Sequence, residues 1–228
     1  MIQREWKVPP FPTRKTMTGR FVRLEPLNAE RHGDALFEIC TTGDAAERFT
    51  YLQEAMPRSR AEFQEWLNKM EASNDPMCFV CILQQTNEIA GRQIYSDIDT
   101  ENGVVEFDGV FWSTKMARTP AATEAFYLFA NYVLGELGYR RLFWNCNALN
   151  EASSRAAIRF GFTHEGVLRQ KMWQKGVSRD SASFSIIDKE WEPIKNALVH
   201  WLAPENFDSK GNQKRKLAEI RSEMLYIR

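Results

Sequence analysis

Histidine and cysteine are scarce in this chain, at three and four among 228 residues. Metal and redox sites therefore have few ligands to draw on. Cys78 and Cys81 stand at C-x-x-C spacing, but CFVCIL reads as a strand, in which positions three apart point to opposite faces. No second C-x-x-C follows, and the nearest other thiol in sequence is Cys40. The expectation is four buried, reduced cysteines and no metal. His32 is expected on a surface helix, His164 follows GFT, and His200 falls in a C-terminal helix, so none has a partner at ligand spacing. Net charge is lacking too. Lys plus Arg and Asp plus Glu balance at 30 each, which gives no electrostatic reason to expect nucleic acid or an anionic membrane as partner. No apolar run approaches the ~20 residues of a membrane span. The opening MIQREWKVPPFP has no apolar core of a secretory signal, and a cytosolic (cytoplasmic) location is the expectation.

What is present is the composition of a folded domain. Hydrophobic residues make up 43% and aromatics 12%, with seven tryptophans, and the length allows a substantial core. Residues 1–18, with Pro9, Pro10 and Pro12, read as a surface arm. GRFVRLEPL (19–27) alternates as a strand ended by Pro26, and NAERHGDALFEIC reads as a helix capped by Asn28. Ser59 and Glu62 form a capping box ahead of Phe63, Trp66, Leu67 and Met70 at helical spacing. MCFVCILQQTNEIAGRQIYSDI reads as two strands with a turn near Thr86 and Asn87, and 103–113 as a third. A helix opened by Thr119 and stopped by Gly138 follows, then a strand over 140–147 and a helix that Asn150 caps and Gly161 ends. THEGVLRQKMW and DSASFSIIDKEW supply two more strands, and the remainder reads as helical with a solvated basic cluster in SKGNQKRKLAEIR. Strand–helix–strand near the centre implies one parallel crossover in a largely antiparallel sheet, an α+β or mixed α/β fold.

The stretch ARTPAATE (117–124) raises a sharper question. Thr119 suits an N-cap and Pro120 the first helical position, while Ala121 and Ala122 leave the first turn bare. A bare helix start lets an anion approach its N–H groups, and it equally lets the helix pack tightly on a sheet.

Two segments carry a family resemblance. VVEFDGVFWSTKMARTPAATEAFYLFANYVLGELGYRRL and NALNEASSRAAIRFGFTHEGVLRQ, with its N-x-x-S … G-F … E-G run, resemble GNAT-superfamily N-acetyltransferases, most of all the RimJ/RimL-like branch. The resemblance covers about residues 19 to 190, leaving 191–228 as a C-terminal helical extension. It implies a GNAT-like fold, a central twisted sheet flanked by helices with a cofactor splay between the strands near 104–113 and 141–147. It also implies acetyl-coenzyme A as co-substrate. The family's Q/R-x-x-G-x-G/A loop falls on Ala117 to Ala122, with Pro120 at the central Gly. A proline removes one N–H donor there, leaving Thr119, Ala121, Ala122 and Thr123, with Arg118 as charge partner for a pyrophosphate. Backbone near Val110, Phe111 and Trp112 is implied to pair with the pantetheine arm and serve the oxyanion.

Acetyl transfer to an amine needs a base for the ammonium, a donor for the oxyanion and a proton for the departing thiolate. Glu106 and Asp108 share one face of a strand ~7 Å apart and are the base candidates, since paired carboxylates by an apolar channel raise each other's pKa. A solvated acidic strand face is the alternative. By resemblance Ser153 is the acid and Asn150 a cofactor contact, though both suit a plain helix start. Trp66, Trp112, Trp144 and Trp173 are candidate walls of an acceptor pocket, and Arg92, Arg169 and Arg179 candidates for an acceptor carboxylate. The expected partner is a small-molecule or peptide amine, with a homodimer as the expected assembly. A non-catalytic acyl-coenzyme A sensor and an interaction protein on the same fold are the competing readings.

Overall fold

The computed structural model describes residues 7–226, so the first six residues of the expected arm lie outside it. An eight-stranded sheet runs in the order β1-β2-β3-β4-β5-β6-β8-β7. Its strands are β1 (Met17–Thr18), β2 (Val22–Pro26), β3 (Met77–Leu83), β4 (Ile89–Asp99), β5 (Val104–Trp112), β6 (Arg141–Asn147), β7 (Thr163–Gln174) and β8 (Val177–Ile187). Every neighbouring pair is antiparallel except β5 and β6. Those two are joined by a crossover through α4 (Pro120–Ala130) and a π-helical turn, Asn131–Glu136. This is the mixed, mostly antiparallel fold that the element order implies.

Helices cover both faces. Alternation along the strands splits the apolar side chains into two cores. One lies under α1 (Ala29–Thr41), α2 (Ala45–Phe49) and α3 (Arg60–Ala72) and includes Leu36, Phe63, Cys78 and Phe111. The other lies under α4, α5 (Glu151–Phe160), α6 (Asp188–Leu202) and α7 (Leu217–Tyr226), and includes Cys81, Phe126, Phe129 and Trp191. Cys78 and Cys81 thus sit on opposite faces, and all four cysteines are buried free thiols. Helix α6 shares its core with α4, so residues beyond 190 pack into the same body through Ile194, Leu198 and Trp201.

Caps form where residue type demands them. Asn28 accepts from Arg31 N–H at 2.8 Å and Asn150 from Ser153 N–H at 3.1 Å, and Gly161 closes α5 at φ 107°. Ser59 accepts from Glu62 N–H, but Glu62 bonds back to Arg58 N–H, one residue outside a reciprocal box. Helix α4 is pinned by Glu124, whose buried carboxylate accepts from the N–H groups of Arg20, Phe21 and Val22 at 2.8, 2.6 and 2.9 Å.

Three expectations are corrected. His32 is buried, with Nδ1 accepting from Asn28 N–H at 3.1 Å and Nε2 3.4 Å from a Glu25 oxygen, because it points beneath α1. Burial holds its pKa below the ordinary histidine range. The last strand stops at Ile187, where Glu190 turns back to accept from its N–H and α6 starts. The basic cluster is not helical. After a short 3-10 turn, Pro204–Asn206, the Asp208 carboxylate gathers the N–H groups of Lys210 and Asn212 into an exposed turn.

Candidate active site

The site begins where two strands part. Parallel pairing of β5 with β6 covers Val104↔Arg141, Val105↔Leu142 and Glu106↔Phe143 and goes no further. On its other edge β5 carries a bulge, with Arg92 opposite Phe111 and Ile94 opposite Asp108, so that Gly109 and Val110 face Gln93 alone. Gly109 has φ +57°, and a Cβ there would stand 2.3 Å from Ile94 Cδ1. Only glycine fits. A bulge bends and twists its strand, and here it swings β5 from β6 beyond Glu106.

Glu106 fills the throat of that splay. Its Oε1 accepts from Asn145 N–H at 3.0 Å and from Asn145 Nδ2 at 2.9 Å, taking the place of a strand partner. Burial, then the neighbouring Asp108, push its pKa up to about 8. Asp108 is half-buried and also raised, through burial and the nearby Glu54 charge, while Ser96 Oγ lies 3.4 Å from its Oδ2. The solvated-face alternative for this pair is therefore set aside. Both carboxylates line a cavity of about 640 Å³ that runs through the splay. Trp66 and Met70 of α3 line it on one side, and Trp144, Asn150 and Ser153 on the other.

Ser153 Oγ accepts from the Trp144 indole N–H at 3.1 Å, which leaves its own proton to donate elsewhere. The tip of the β7–β8 hairpin closes the roof. Gln174 Nε2 donates to Leu52 C=O at 2.6 Å, and Lys175 Nζ to Phe49 C=O at 2.5 Å. Beside the carboxylates, fully buried Arg92 pairs with Glu54, donates to Gly109 C=O at 2.6 Å and stacks 4.7 Å from the Trp66 ring. Burial opposes ionisation of Glu54, but Arg92 outweighs it and holds the carboxyl below its ordinary range.

The start of α4 lies outside this cavity's lining. Thr119 Oγ1 donates to Met116 C=O at 2.7 Å and gives no side-chain cap, so the first-turn N–H groups have no acceptor from their own cap. Ala121 and Ala122 bury their methyls in the core, while Arg118 is exposed at φ +65°. The packing and anion readings are therefore compatible, since the methyls serve one and the N–H groups the other. Thr123 Oγ1 accepts from Arg159 at 3.0 Å. Val110 lines the cavity, Phe111 packs on Phe49 in the α1–α3 core, and Trp112 Nε1 reaches Gln93 at 3.3 Å.

Other candidates divide. Trp66 and Trp144 are walls; Trp112 does not line the cavity, and Trp173 is 76% exposed. Arg92 is committed to Glu54, Arg169 is exposed, and Arg179 is buried on the cavity wall. Asn145, Glu54 and Gln174 carried no local signal, since each matters through a partner far away in sequence. Among the described residues no group of three or more His, Cys, Asp or Glu stands ready for a metal, and no helix is long and apolar enough to cross a membrane.

Residues 22–163 match the acetyltransferase (GNAT) domain family. The chain belongs to that family. It is an acetyl-coenzyme A-dependent acyltransferase. Among solved structures, this GNAT acetyltransferase is similar to a GCN5-related N-acetyltransferase from Brucella melitensis. Identity is 50% and TM-score 0.94, over 96% of this chain and 99% of that one. The SPbeta prophage-derived uncharacterized N-acetyltransferase YokL of Bacillus subtilis (strain 168) is 25% identical over 60% of this chain and 75% of its own length. The ribosomal L7/L12 alpha-N-protein acetyltransferase RimL, solved in complex with coenzyme A, shares the fold at TM-score 0.66 and 18% identity, over 76% of this chain and 99% of its own. At that identity the likeness extends to the fold alone. The residues present fit the cofactor, because uncapped N–H groups at α4 and a splayed strand edge are its two main-chain requirements.

Proposed function

We propose that this acetyltransferase moves an acetyl group from acetyl-coenzyme A directly to a primary amine, a small-molecule amine or a peptide or protein N-terminus, in a ternary complex. The observation that carries this reading is Glu106, a buried carboxylate at the splay whose pKa is about 8. A base poised near neutral pH accepts a proton from an ammonium group and can release it again. Bound acetyl-coenzyme A supplies the activated acyl carbon.

The chain's own residues divide the remaining work. Glu106 takes a proton from the incoming ammonium, which enters from the α3 side, and Asp108 keeps that carboxyl basic. Backbone N–H on β5 beyond the bulge, around Val110, Phe111 and Trp112, holds the charge that develops on the acyl oxygen. Ser153, with its proton unclaimed, donates to the departing sulfur. As the C–N bond forms and the C–S bond breaks, the ammonium gives up two protons, one ending on the thiol and the other leaving by way of Glu106. Arg118 and the N–H groups of Ala121 and Ala122 hold the pyrophosphate, since Thr123 N–H closes the first turn of α4 on Thr119 and Thr119 N–H is bonded to Met116 C=O. Asn150 steadies the cofactor beside Ser153. The protein works in the cytoplasm, where free thiols such as its four stay reduced.

The test is incubation of the protein with acetyl-coenzyme A and an amine library, read by mass spectrometry. Acetylated amines that disappear with Glu106→Gln support the reading. Coenzyme A binding without turnover of any amine would favour a sensor instead.

A further inference from the structure

Two arginines are deeply buried near the cavity, and they are treated differently. Arg92 has a carboxylate, Glu54, and a carbonyl, Gly109 O. Arg179 is 5% exposed and lines the cavity, yet its bonded partner is a neutral amide, Gln174 Oε1, at 2.8 Å from Nη1. Its Nε has no acceptor, and among the described residues no carboxylate stands within ion-pair distance of it. A guanidinium stays charged under all ordinary conditions, so this is a buried cation with no counter-ion among the described residues. Such a group is costly unless something anionic joins it.

The surroundings hold it ready for that. Gln174 is fixed by Leu52 C=O at 2.6 Å, so the arginine is braced from the roof of the site. Ser181, two positions along β8, is on the same face and also lines the cavity, and Lys171 adds a second cation to the lining. Against them stand Glu106 and Asp108 in the same cavity. One cavity therefore offers a carboxylate pair suited to an ammonium and a planar donor fork suited to a carboxylate.

We propose that the acceptor is an amine carrying a carboxylate on the same molecule, with its amino group at Glu106 and its carboxylate on Arg179. This rests on the acetyltransferase reading above and narrows its substrate class. The carboxylate belongs either to a free amino acid or to an acidic residue of a peptide. Arg179 acts in binding, so its contribution appears in KM for the acceptor and not in KM for acetyl-coenzyme A.

The experiment follows thiol release from acetyl-coenzyme A with matched acceptors: free amino acids and their amides, dipeptides with and without an Asp or Glu side chain, and the carboxylate-free polyamine spermidine. The carboxylate member of a pair should show a KM at least tenfold lower. The amino acid and dipeptide arms separate the two sources. Arg179→Gln should erase the difference by raising the acid's KM ten- to a hundredfold while the amide's KM changes far less, and Arg179→Lys should restore part of it. The thermal midpoint checks that the variants fold, and the wild-type comparison stands without them. Equal use of amides, a preference for spermidine, or an Arg179→Gln enzyme that keeps its discrimination overturns the proposal. If no amine is turned over, the acetyltransferase reading fails instead. The site is then judged by calorimetry with N-acetylated amino acids and their amides, where equal affinity overturns it.

Discussion

Glu106 Oε1 takes two hydrogen bonds from one residue, Asn145, at 3.0 Å from its main-chain N–H and 2.9 Å from its side-chain amide. The carboxylate thus ends the β5–β6 ladder, satisfying an N–H that the departing strand no longer reaches. It is placed by the same event that opens the site. A carboxylate positioned in this way does not depend on a loop for its orientation.

Glu106→Gln keeps the shape and the bond from Asn145 while removing the proton-accepting site. Turnover should fall by ~10²–10⁴, the usual worth of a general base, with acetyl-coenzyme A affinity retained. The wild-type rate should rise with pH through about 8, because the base must be ionised, and this limb should vanish in the variant. Steady-state kinetics across pH would check both.

The same raised pKa has a consequence for stability. The folded protein holds the Glu106 proton at pH values where the unfolded chain has released it. Its contribution is therefore full below the ordinary glutamate range and is lost as pH rises through about 8. Thermal midpoints should show wild type losing ground to Glu106→Gln over that window. A constant difference between the two would count against the burial argument.

Asp108→Asn removes the charge that, after burial, does most to hold Glu106 protonated. The alkaline-rising limb of the rate should shift to lower pH with activity retained. Loss of activity instead, with Glu106→Gln still active, would make Asp108 the base.

Gly109→Ala places a Cβ 2.3 Å from Ile94 Cδ1 on a backbone at φ +57°. Overpacking of this kind costs about 1–3 kcal/mol, so the denaturant midpoint should drop. Repair by shifting the bulge would alter the splay, so kcat/KM should fall further than stability alone explains.

Arg118→Gly separates backbone from charge. Arg118 is exposed at φ +65°, so glycine should leave the thermal midpoint equal or higher. If Arg118 pairs with the pyrophosphate, coenzyme A affinity should fall by up to tenfold, about 1.4 kcal/mol. Calorimetric binding at unchanged strength would remove it from the cofactor site.

Element order, the Asn28, Ser59 and Asn150 caps, the Gly161 stop and the carboxylate pair on one face of β5 were all determined by the sequence itself, because each is set by residues within a turn or a pleat of one another. The same local rules placed Cys78 and Cys81 on opposite faces. They misplaced His32, whose burial depends on what lies beneath α1, and the start of α6, where an interrupted strand and a helix share apolar residues. Tertiary structure alone decided the chemistry of the site. Glu106 meets Asn145 across 39 positions, and Arg179 is bonded to an amide while Arg92, the same residue type, meets Glu54 across 38. Burial and charge partners fix protonation and binding, and both depend on which distant backbone comes alongside. No periodicity within a strand can carry that information.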